Sequence, residues 1–376
     1  MQGAQIIVLA TPVFLLLIAI EYAVGVARGH NTYRLNDALS SIGLGVMSQL
    51  TGLFTALVTL GIYSAVYDHA ALWQLPADAW WVWVGALVVY DFFYYWNHRL
   101  GHESALFWAA HVVHHQSEDY NLSTALRQTS SGWIASWIFY LPMAVLGVPP
   151  LVFAAVALID LLYQYWVHTQ QIGRLGWFDR VFCSPSNHRV HHAVNDKYLD
   201  KNYGGILVLW DRWFGTFEEE DDRDPCVWGT RGPLRSWNPL WANLQVYAEL
   251  ARDSWRTRRW SDKLRVWFKP PGWRPADLAL SDPKPPFEID KVVRYDPPMS
   301  PRAQWLAAGL FLLLVAGTGA FLWQAHLLSL SARLLGVLGL TAGLVLVGML
   351  CSPASRALTR EGAPAHGLPA EPPSLN

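Results

Sequence analysis

Long apolar segments alternate with polar segments along the whole chain. The first apolar segment covers residues 5–27, carries a single charge, Glu21, and is long enough for a membrane-spanning helix. Because no basic region precedes it, we expect it to be retained rather than removed as a signal peptide. Further apolar segments follow at residues 40–66, 80–96, 133–148, 151–167, 305–323 and 334–350. The pattern predicts an all-α fold, a polytopic bundle of transmembrane helices.

Two pairs of these segments are predicted to form transmembrane hairpins. Pro149 and Pro150 separate the members of the first pair, because proline cannot continue a helix. A short polar turn around His326 separates the members of the second pair. The predicted organisation is N-terminal transmembrane helices (1–97), a histidine-rich core that includes a hairpin at 131–168 (98–220), an interfacial segment (221–302), a C-terminal transmembrane hairpin (303–351) and a mobile tail (352–376).

The distribution of basic residues predicts which side of the membrane each loop occupies. If the N-terminus is outside, residues 28–36, 98–127 and 170–302 fall inside, and these segments carry most of the Lys and Arg. Arg333 is the one exception, at the outer end of the last helix. We therefore expect the histidine-rich segments to face the cytosol, and we expect the membrane to be a bacterial inner membrane.

Composition supports a membrane protein. Charged residues make up 15% of the chain, against about 25% in ordinary soluble domains, and the mean hydropathy is +0.18. The 21 Trp and 15 Tyr suit the aromatic belts at the two membrane surfaces. The net charge of -1 gives no reason to expect a nucleic-acid partner. The three cysteines show no metal-binding or disulfide spacing.

Histidine is distributed unevenly. Eight of the 13 histidines fall into three short boxes: His98 and His102; His111, His114 and His115; and His188, His191 and His192. On a helix, residues at i, i+3 and i+4 share one face, so each box is expected to aim its ring nitrogens in one direction. Such an arrangement suits one or two transition-metal ions.

His168 is a ninth candidate ligand. It follows the apolar segment 151–167 directly, so it is expected to reach the membrane surface at the depth of the three boxes. The alternative is that it interacts with the dipole at the end of the helix.

Two carboxylates lie close to the first box. Asp91 precedes His98 by seven residues and therefore shares its helix face. It is expected either to accept an N–H from a ligand imidazole or to pair with Arg99 or a tyrosine hydroxyl. Glu103, directly after His102, either supports the metal site or is solvated.

The donor types narrow the choice of metal. Neither Glu-x-x-His nor His-Glu-x-x-His occurs, which disfavours a bundled di-iron carboxylate site and zinc-dependent hydrolysis. Imidazole-rich sites suit iron, zinc or copper. Oxidation of an unactivated C–H bond in a lipid needs activated O₂, for which iron is the natural choice. Zinc would supply only Lewis acidity or activated water.

The sequences of the boxes, HRLGH, HVVHH and HRVHH, resemble those of the fatty acid hydroxylase superfamily, which includes sterol desaturases and hydroxylases. Residues 116–128, 161–169, 185–192 and 200–217 are similar to the alkylglycerol monooxygenases within it. The similarity covers residues 90–219.

This resemblance implies a membrane di-iron monooxygenase. Such enzymes use O₂ to hydroxylate the ether-linked carbon of an alkylglycerol, and the product collapses to an aldehyde and a glycerol derivative. The resemblance implies that the eight box histidines bind two iron ions, that His168 is the helix-end histidine and that Glu103 is the acid after the first box. It also suggests that Asn121 and Asn202 support the site or line the substrate entry, and that tetrahydrobiopterin is the external reductant.

Two alternatives stay open. The substrate could be a fatty acyl chain, an ornithine lipid or a sterol, which would be hydroxylated or desaturated. The chain could also be a metal-binding membrane protein without catalysis. Transporters place their ligands near mid-bilayer and often contain repeats, whereas here the ligands are predicted at one interface and no repeat is evident.

Overall fold

The computed structural model describes residues 3–352, and the predicted tail lies, from residue 353 on, outside the described residues. Within this range every regular element is helical, apart from two isolated β-bridges, which confirms the all-α fold. The α-helices are α1 (Gly3–Ala27), α2 (Leu35–Ala70), α3 (Trp80–Glu103), α4 (Ala105–His115), α5 (Leu122–Ala125), α6 (Leu141–Val145), α7 (Pro150–Trp166), α8 (Pro185–His191), α9 (Leu209–Phe214), α10 (Pro239–Arg256), α11 (Trp260–Phe268), α12 (Ala276–Ser281), α13 (Pro301–Gln324) and α14 (Leu330–Cys351).

Four segments are long and apolar enough to cross a membrane: Gln5–Ala27, Leu35–Thr55, Pro301–Leu327 and Leu330–Cys351. They correspond to α1, the first part of α2, α13 with the turn after it, and α14. The chain is therefore an integral membrane protein. Only 6% of the first segment is buried against the rest of the protein, so α1 presents most of its surface outward.

The prediction of a helix over residues 133–148 is wrong. This stretch forms two 3₁₀ turns, Gly132–Ile134 and Ser136–Tyr140, followed by the five-residue helix α6. Pro142 has no N–H and cannot continue a helix from the residues before it, so α6 begins next to it. Gly147, with φ +83°, stops the helix again. The predicted hairpin therefore contains one long helix, α7, and not two.

Helices α3 and α7 pack against each other and carry the polar core. The predicted segment 80–96 continues as a helix to Glu103, so α3 also carries the first histidine box. Stacked aromatic rings join these helices to their neighbours. The ring centroids of Tyr63 on α2 and Phe153 on α7 are 4.0 Å apart, and those of Tyr90 on α3 and Tyr140 are 4.6 Å apart. This packing fixes the end of α3 next to the end of α7.

Short helices form a cap over the ends of α3 and α7. Helix α4 carries the second histidine box and α8 the third. Helices α10 and α11 pack on α4, and the backbone N–H of Ala105 at its start donates to the carbonyl of Lys269, just after α11. The cap thus places both boxes against the first one.

Candidate metal centre

The nine candidate ligand histidines lie in two adjacent groups. The five-histidine group contains His98, His102, His111, His115 and His191. The four-histidine group contains His114, His168, His188 and His192. Within each group, one nitrogen from every ring lies within 4.8 Å of the others. The rings of His115 and His192 are stacked 4.3 Å apart, so the two groups share a boundary.

The boxes do not each aim in a single direction, as the helical spacing had suggested. On α4, His111 and His115 belong to the five-histidine group, whereas His114 belongs to the other. On α8, His191 belongs to the five-histidine group and its neighbour His192 to the four-histidine group. Adjacent residues on a helix are separated by about 100° around its axis, so one helix between two sites serves both.

Backbone carbonyls hold four of the rings through Nδ1. His98 and His191 contact the carbonyls of Tyr203 and Lys201 at 2.7 and 2.9 Å. His114 and His168 contact the carbonyls of Arg127 and Gln164 at 2.9 and 2.7 Å. Because a carbonyl oxygen only accepts hydrogen bonds, Nδ1 of each ring carries the proton. The lone pair of each ring is therefore on Nε2.

These lone pairs fit a metal ion in each group. Nε2 of His114 and Nε2 of His168 lie 3.1 Å apart, and neither carries a proton to place between them. Two nitrogens bound to one ion at about 2.0–2.1 Å would lie roughly 2.9–3.4 Å apart. Nε2 of His102 and Nε2 of His191 are buried and have no protein partner. The two groups therefore offer an all-nitrogen donor set for metal, which suits iron, zinc or copper.

Burial favours the neutral form of His114, His188, His191 and His192. It lowers the pKa of His188, His191 and His192 well below the usual value, and the neighbouring imidazoles act in the same direction. The pKa of His114 falls to about 4, again mainly because of burial. A neutral imidazole is the form that binds a metal ion.

The loop before α9 supplies groups that sequence reasoning missed. Lys201 and Tyr203 act through their carbonyls, which no residue type reveals. Asp200 places Oδ1 3.3 Å from Nδ1 of His102. Asp200 and Asn202 have φ values of 58° and 56°, a conformation that Asp and Asn tolerate better than other residues. An Asp-x-Asn pattern shortly after the third box is the signal that could have indicated this turn.

Asp91 does not contact an imidazole, a tyrosine hydroxyl or Arg99. Its carboxylate accepts hydrogen bonds from the backbone N–H groups of Ile206 and Leu207 at 2.7 and 3.0 Å, and from Nε1 of Trp210 at 2.8 Å. A carboxylate satisfies exposed backbone donors in a turn well, because both of its oxygens accept. Asp91 thus holds the loop whose Tyr203 carbonyl contacts His98.

Glu103, Asn121 and Asn202, the remaining candidate supporting residues, also lie outside direct contact with the rings. Glu103 is 44% exposed and pairs with Arg99 at 2.8 Å. Asn121 caps α5 and donates to the carbonyl of Thr32 at 2.7 Å. Asn202 donates to the carbonyls of Asn187 and Glu218 at 3.0 and 2.8 Å, which joins the loop to α8.

One large cavity leads to both groups. Its volume is about 790 Å³, and His98, His111, His114 and His168 form part of its wall. Residues of α1, α2 and α13 contribute mainly apolar lining, including Leu15, Val46 and Val315, together with a few polar side chains such as Ser48 and Thr318. Residues 128–136 and Tyr247 of α10 also line the cavity and include hydroxyl groups. Here the Tyr247 hydroxyl donates to Oγ of Ser131 at 3.1 Å.

Comparisons with known proteins give a consistent result. The fatty acid hydroxylase family model matches residues 83–216, which include both histidine groups. Human alkylglycerol monooxygenase is 42% identical over 294 residues, 77% of this chain and 64% of the human protein. Alkylglycerol monooxygenase of Danio rerio is 39% identical over 329 residues, 87% of this chain and 73% of the fish protein.

A more distant relative extends the comparison to another lipid. An ornithine lipid hydroxylase of Rhizobium tropici is 30% identical over 132 residues, 35% of this chain and 40% of that protein. No solved structure matches the chain at a significant level. The chain spans just under two thirds of the length of the human relative.

Proposed function

Because this chain belongs to the fatty acid hydroxylase family, together with the alkylglycerol monooxygenases, we propose that it is an O₂-dependent lipid monooxygenase of the membrane. Its substrate is an alkylglycerol, hydroxylated at the ether-linked carbon, and the product separates into an aldehyde and a glycerol derivative. The observation that carries this proposal is the joint opening of two all-imidazole groups onto a single, largely apolar cavity.

We propose two iron ions as the resident metals. His98, His102, His111, His115 and His191 would hold one of them. His114, His168, His188 and His192 would hold the other. When bound, the iron supplies the activation of O₂ that an unactivated C–H bond requires. The protein fixes the rings by backbone carbonyls, and the apolar wall keeps water away from the reacting carbon.

The volume and lining of the cavity suit a substrate with one alkyl chain and a small hydroxylated head. Helices α1, α2 and α13 contribute mainly apolar lining, which suits the chain. Thr129 and Ser131, which also line the cavity, have their hydroxyl oxygens 3.2 Å apart, next to the Tyr247 hydroxyl. These groups can bind the glycerol hydroxyls. The ether carbon between chain and head would then lie at the histidines.

Two further assignments belong to the proposal. The electrons come from an external reductant, for which the family resemblance suggests tetrahydrobiopterin. The cap faces the cytosol of a bacterial inner membrane, since residues 28–36, 98–127 and 170–302 hold most of the basic residues. A cytosolic cap would meet a soluble reductant directly.

The relative from Rhizobium tropici favours a second candidate substrate, an ornithine lipid, whose oxidation would use the same metal centre. Fatty acyl chains and sterols are further candidate substrates for the same chemistry. A non-catalytic metal-binding protein would show metal binding and no turnover. One experiment distinguishes these candidates, because each of them predicts a different product.

The test uses purified full-length protein in lipid nanodiscs, loaded with Fe(II) and supplied with O₂ and tetrahydropterin. We expect aldehyde from 1-O-hexadecylglycerol, detected by mass spectrometry, and none with His114→Ala. Hydroxylated product from ornithine lipid, acyl lipid or sterol alone would replace alkylglycerol as the substrate. Absence of turnover on all four substrates would contradict the monooxygenase function.

A second measurement examines the head-binding part of the cavity. In Tyr247→Phe we expect the preference for hexadecylglycerol over hexadecyl ethylene glycol ether, which lacks one hydroxyl, to fall roughly 2- to 10-fold, since one hydrogen bond is lost. An unchanged preference would place the head elsewhere.

A further inference from the structure

Helices α3 and α7 face each other with polar side chains at three successive levels. Asp91 and Asp160 lie at the first level, Tyr94 and Gln164 at the second, and His98 and His168 at the third. The spacing i, i+3, i+7 puts the three residues of α3 on one helix face, and the spacing i, i+4 does the same for Asp160 and Gln164 on α7, with His168 two residues beyond the end of that helix. The Tyr94 hydroxyl donates to Oε1 of Gln164 at 2.6 Å, and Nε2 of Gln164 donates to Oδ2 of Asp160 at 2.7 Å. A polar path thus extends from the metal centre into the apolar core.

Asp160 is the unusual member of this path. Its side chain is 1% exposed, yet it lies in the wall of the cavity. Oδ2 has one donor, Gln164, whereas Oδ1 is buried without any partner. An ionised carboxylate with so few donors in an apolar core is costly, and an acid group within a membrane protein is commonly functional.

Asp91 differs from Asp160 in its donors. Asp91 accepts three hydrogen bonds, from Ile206, Leu207 and Trp210, and all three donors are neutral. Oδ1 of Asp91 and Oδ1 of Asp160 each lie 2.9 Å from the position that a Cβ atom would take on Gly205. Since both oxygens lie 2.9 Å from the same point, they are at most about 5.8 Å (twice 2.9 Å) apart. Two buried carboxyl groups within this distance, without a cation among the donors that satisfy them, disfavour a second negative charge, so that one of them keeps its proton. The three donors favour the charge on Asp91, which leaves the proton on Asp160.

We propose that Asp160 is held as a neutral carboxylic acid in the cavity wall and supplies a proton to the oxygen chemistry that takes place there. Monooxygenation consumes O₂, two electrons from the external reductant and two protons; one oxygen atom enters the C–H bond and the other leaves as water. Asp160 gives one of these two protons, becomes a carboxylate and takes up a proton from solvent before the next turnover.

The role of Asp160 as a proton donor in turnover (its supply role) rests on the proposed function, whereas the claim that Asp160 is protonated does not. The neighbouring groups of the path make poorer donors. Tyr94 uses its hydroxyl proton in the bond to Gln164, and an amide such as Gln164 releases no proton at ordinary pH. The apolar lining leaves few other acids in reach. A positioned acid contributes about 10²- to 10⁴-fold to a rate.

The variant Asp160→Asn separates the acid from its contacts. The amide oxygen can still accept from Gln164, and the amide NH₂ can face Asp91, so the packing is kept while the acidic proton is removed. Asp91→Asn, in contrast, breaks native contacts, because its NH₂ group would face three hydrogen-bond donors. We expect Asp91→Asn to loosen the loop and release metal, and Asp160→Asn to bind metal normally. Asp222→Asn is the matched surface control, since Asp222 is 86% exposed.

The first readout is independent of turnover. Infrared spectra of the metal-free protein in nanodiscs should contain a protonated-carboxyl C=O band that shifts in D₂O, is absent in Asp160→Asn and is unchanged in Asp222→Asn. If the Asp160→Asn spectrum equals that of the wild type, Asp160 is ionised and the proposal is wrong.

The second readout is product formation, compared between variant and wild-type samples that contain the same amount of metal. We expect Asp160→Asn to lower product formation at least about 100-fold, with O₂ consumed without product and with a changed solvent isotope effect. A wild-type rate, or loss of metal from this variant, would overturn the supply role. A wild-type protein that has the infrared band but oxidises no lipid would instead contradict the monooxygenase function and leave the protonated Asp160 in place.

Discussion

The two histidine groups differ in ligand number and in what holds their rings. The five-histidine group depends on the loop before α9, through the carbonyls of Lys201 and Tyr203 and the carboxylate of Asp200. The four-histidine group depends on the ends of helical segments, through the carbonyls of Gln164 and Arg127. The five-histidine group therefore has one more imidazole and is supported by a loop, whereas the four-histidine group is supported at the ends of helical segments.

This difference shows that a histidine box in the sequence does not correspond to one metal site in the structure. The first box serves only the five-histidine group, and His168 serves only the four-histidine group. The second and third boxes each serve both. Variants of neighbouring residues should consequently have different effects on the two ions. Four experiments test this expectation, and they follow in order from the largest expected effect to the smallest.

The largest effect is expected for His114→Ala, in comparison with His115→Ala. These residues are neighbours on α4 but belong to different groups. His114→Ala leaves three imidazoles in its group and should lose roughly half of the bound metal and all detectable turnover, whereas His115→Ala leaves four imidazoles and should retain more metal. Metal analysis per protein molecule and product analysis measure both. His69→Ala, far along the chain from the boxes, is the control. Loss of both ions from either variant would show that the groups bind metal as one unit.

The next largest effect is expected for metal retention, compared between His102→Ala and His168→Ala. The first change leaves four imidazoles in its group, whereas the second leaves three. We expect His168→Ala to release its ion at a chelator concentration at least about tenfold lower, since four ligands make a complete site and three do not. Equal release would mean that His102 is no spare ligand.

A smaller effect is expected from the two asparagines. Asn202→Ala should loosen the loop and lower the metal affinity of the five-histidine group by about 10- to 100-fold, the usual loss for residues that orient ligands. Asn121→Ala removes the cap of α5, near Arg127, and should act on the other group. Stepwise metal removal by a chelator distinguishes the two ions. If both variants affect the same ion, the division of supports between the groups is wrong.

The smallest effect is expected for Glu103→Gln. Glu103 is half-exposed and pairs only with Arg99 in the turn behind the first box. Such surface pairs contribute about 0.3–0.5 kcal/mol, so turnover should change by no more than about twofold. A tenfold slower rate would give Glu103 a part in binding substrate or reductant.

The sequence was sufficient for features that depend on local spacing. The long apolar helices and the set of histidines are local patterns, and the structure brings all nine rings together. The helix over 133–148 could not be predicted from its hydropathy, because Pro142 and Gly147 outweigh the apolar character. Carbonyl partners such as that of Tyr203 could not be predicted either, since every residue has a carbonyl group.

The partner of Asp91 shows the same limit. Its spacing from His98 correctly placed it on the same helix face, but the distance of two helical turns put it beside Asp160 and Gly205 instead of beside an imidazole. Which residue of a different helix stands opposite is a property of tertiary packing. The pairing of α3 with α7 decides it.

Glu21 gives α1 an importance that its loose packing hides. Its buried carboxylate contacts the Tyr33 and Thr169 hydroxyls and accepts from the backbone N–H of Leu122 at 2.8 Å. Thr169 directly follows the ligand candidate His168, so Glu21 ties α1 to the four-histidine group, as does the Phe14 carbonyl, which accepts from the Tyr165 hydroxyl at 3.0 Å. Because α1 is little buried against the rest of the protein, bilayer thickness and the choice of detergent act on it directly, and purification therefore belongs among the factors that govern metal occupancy.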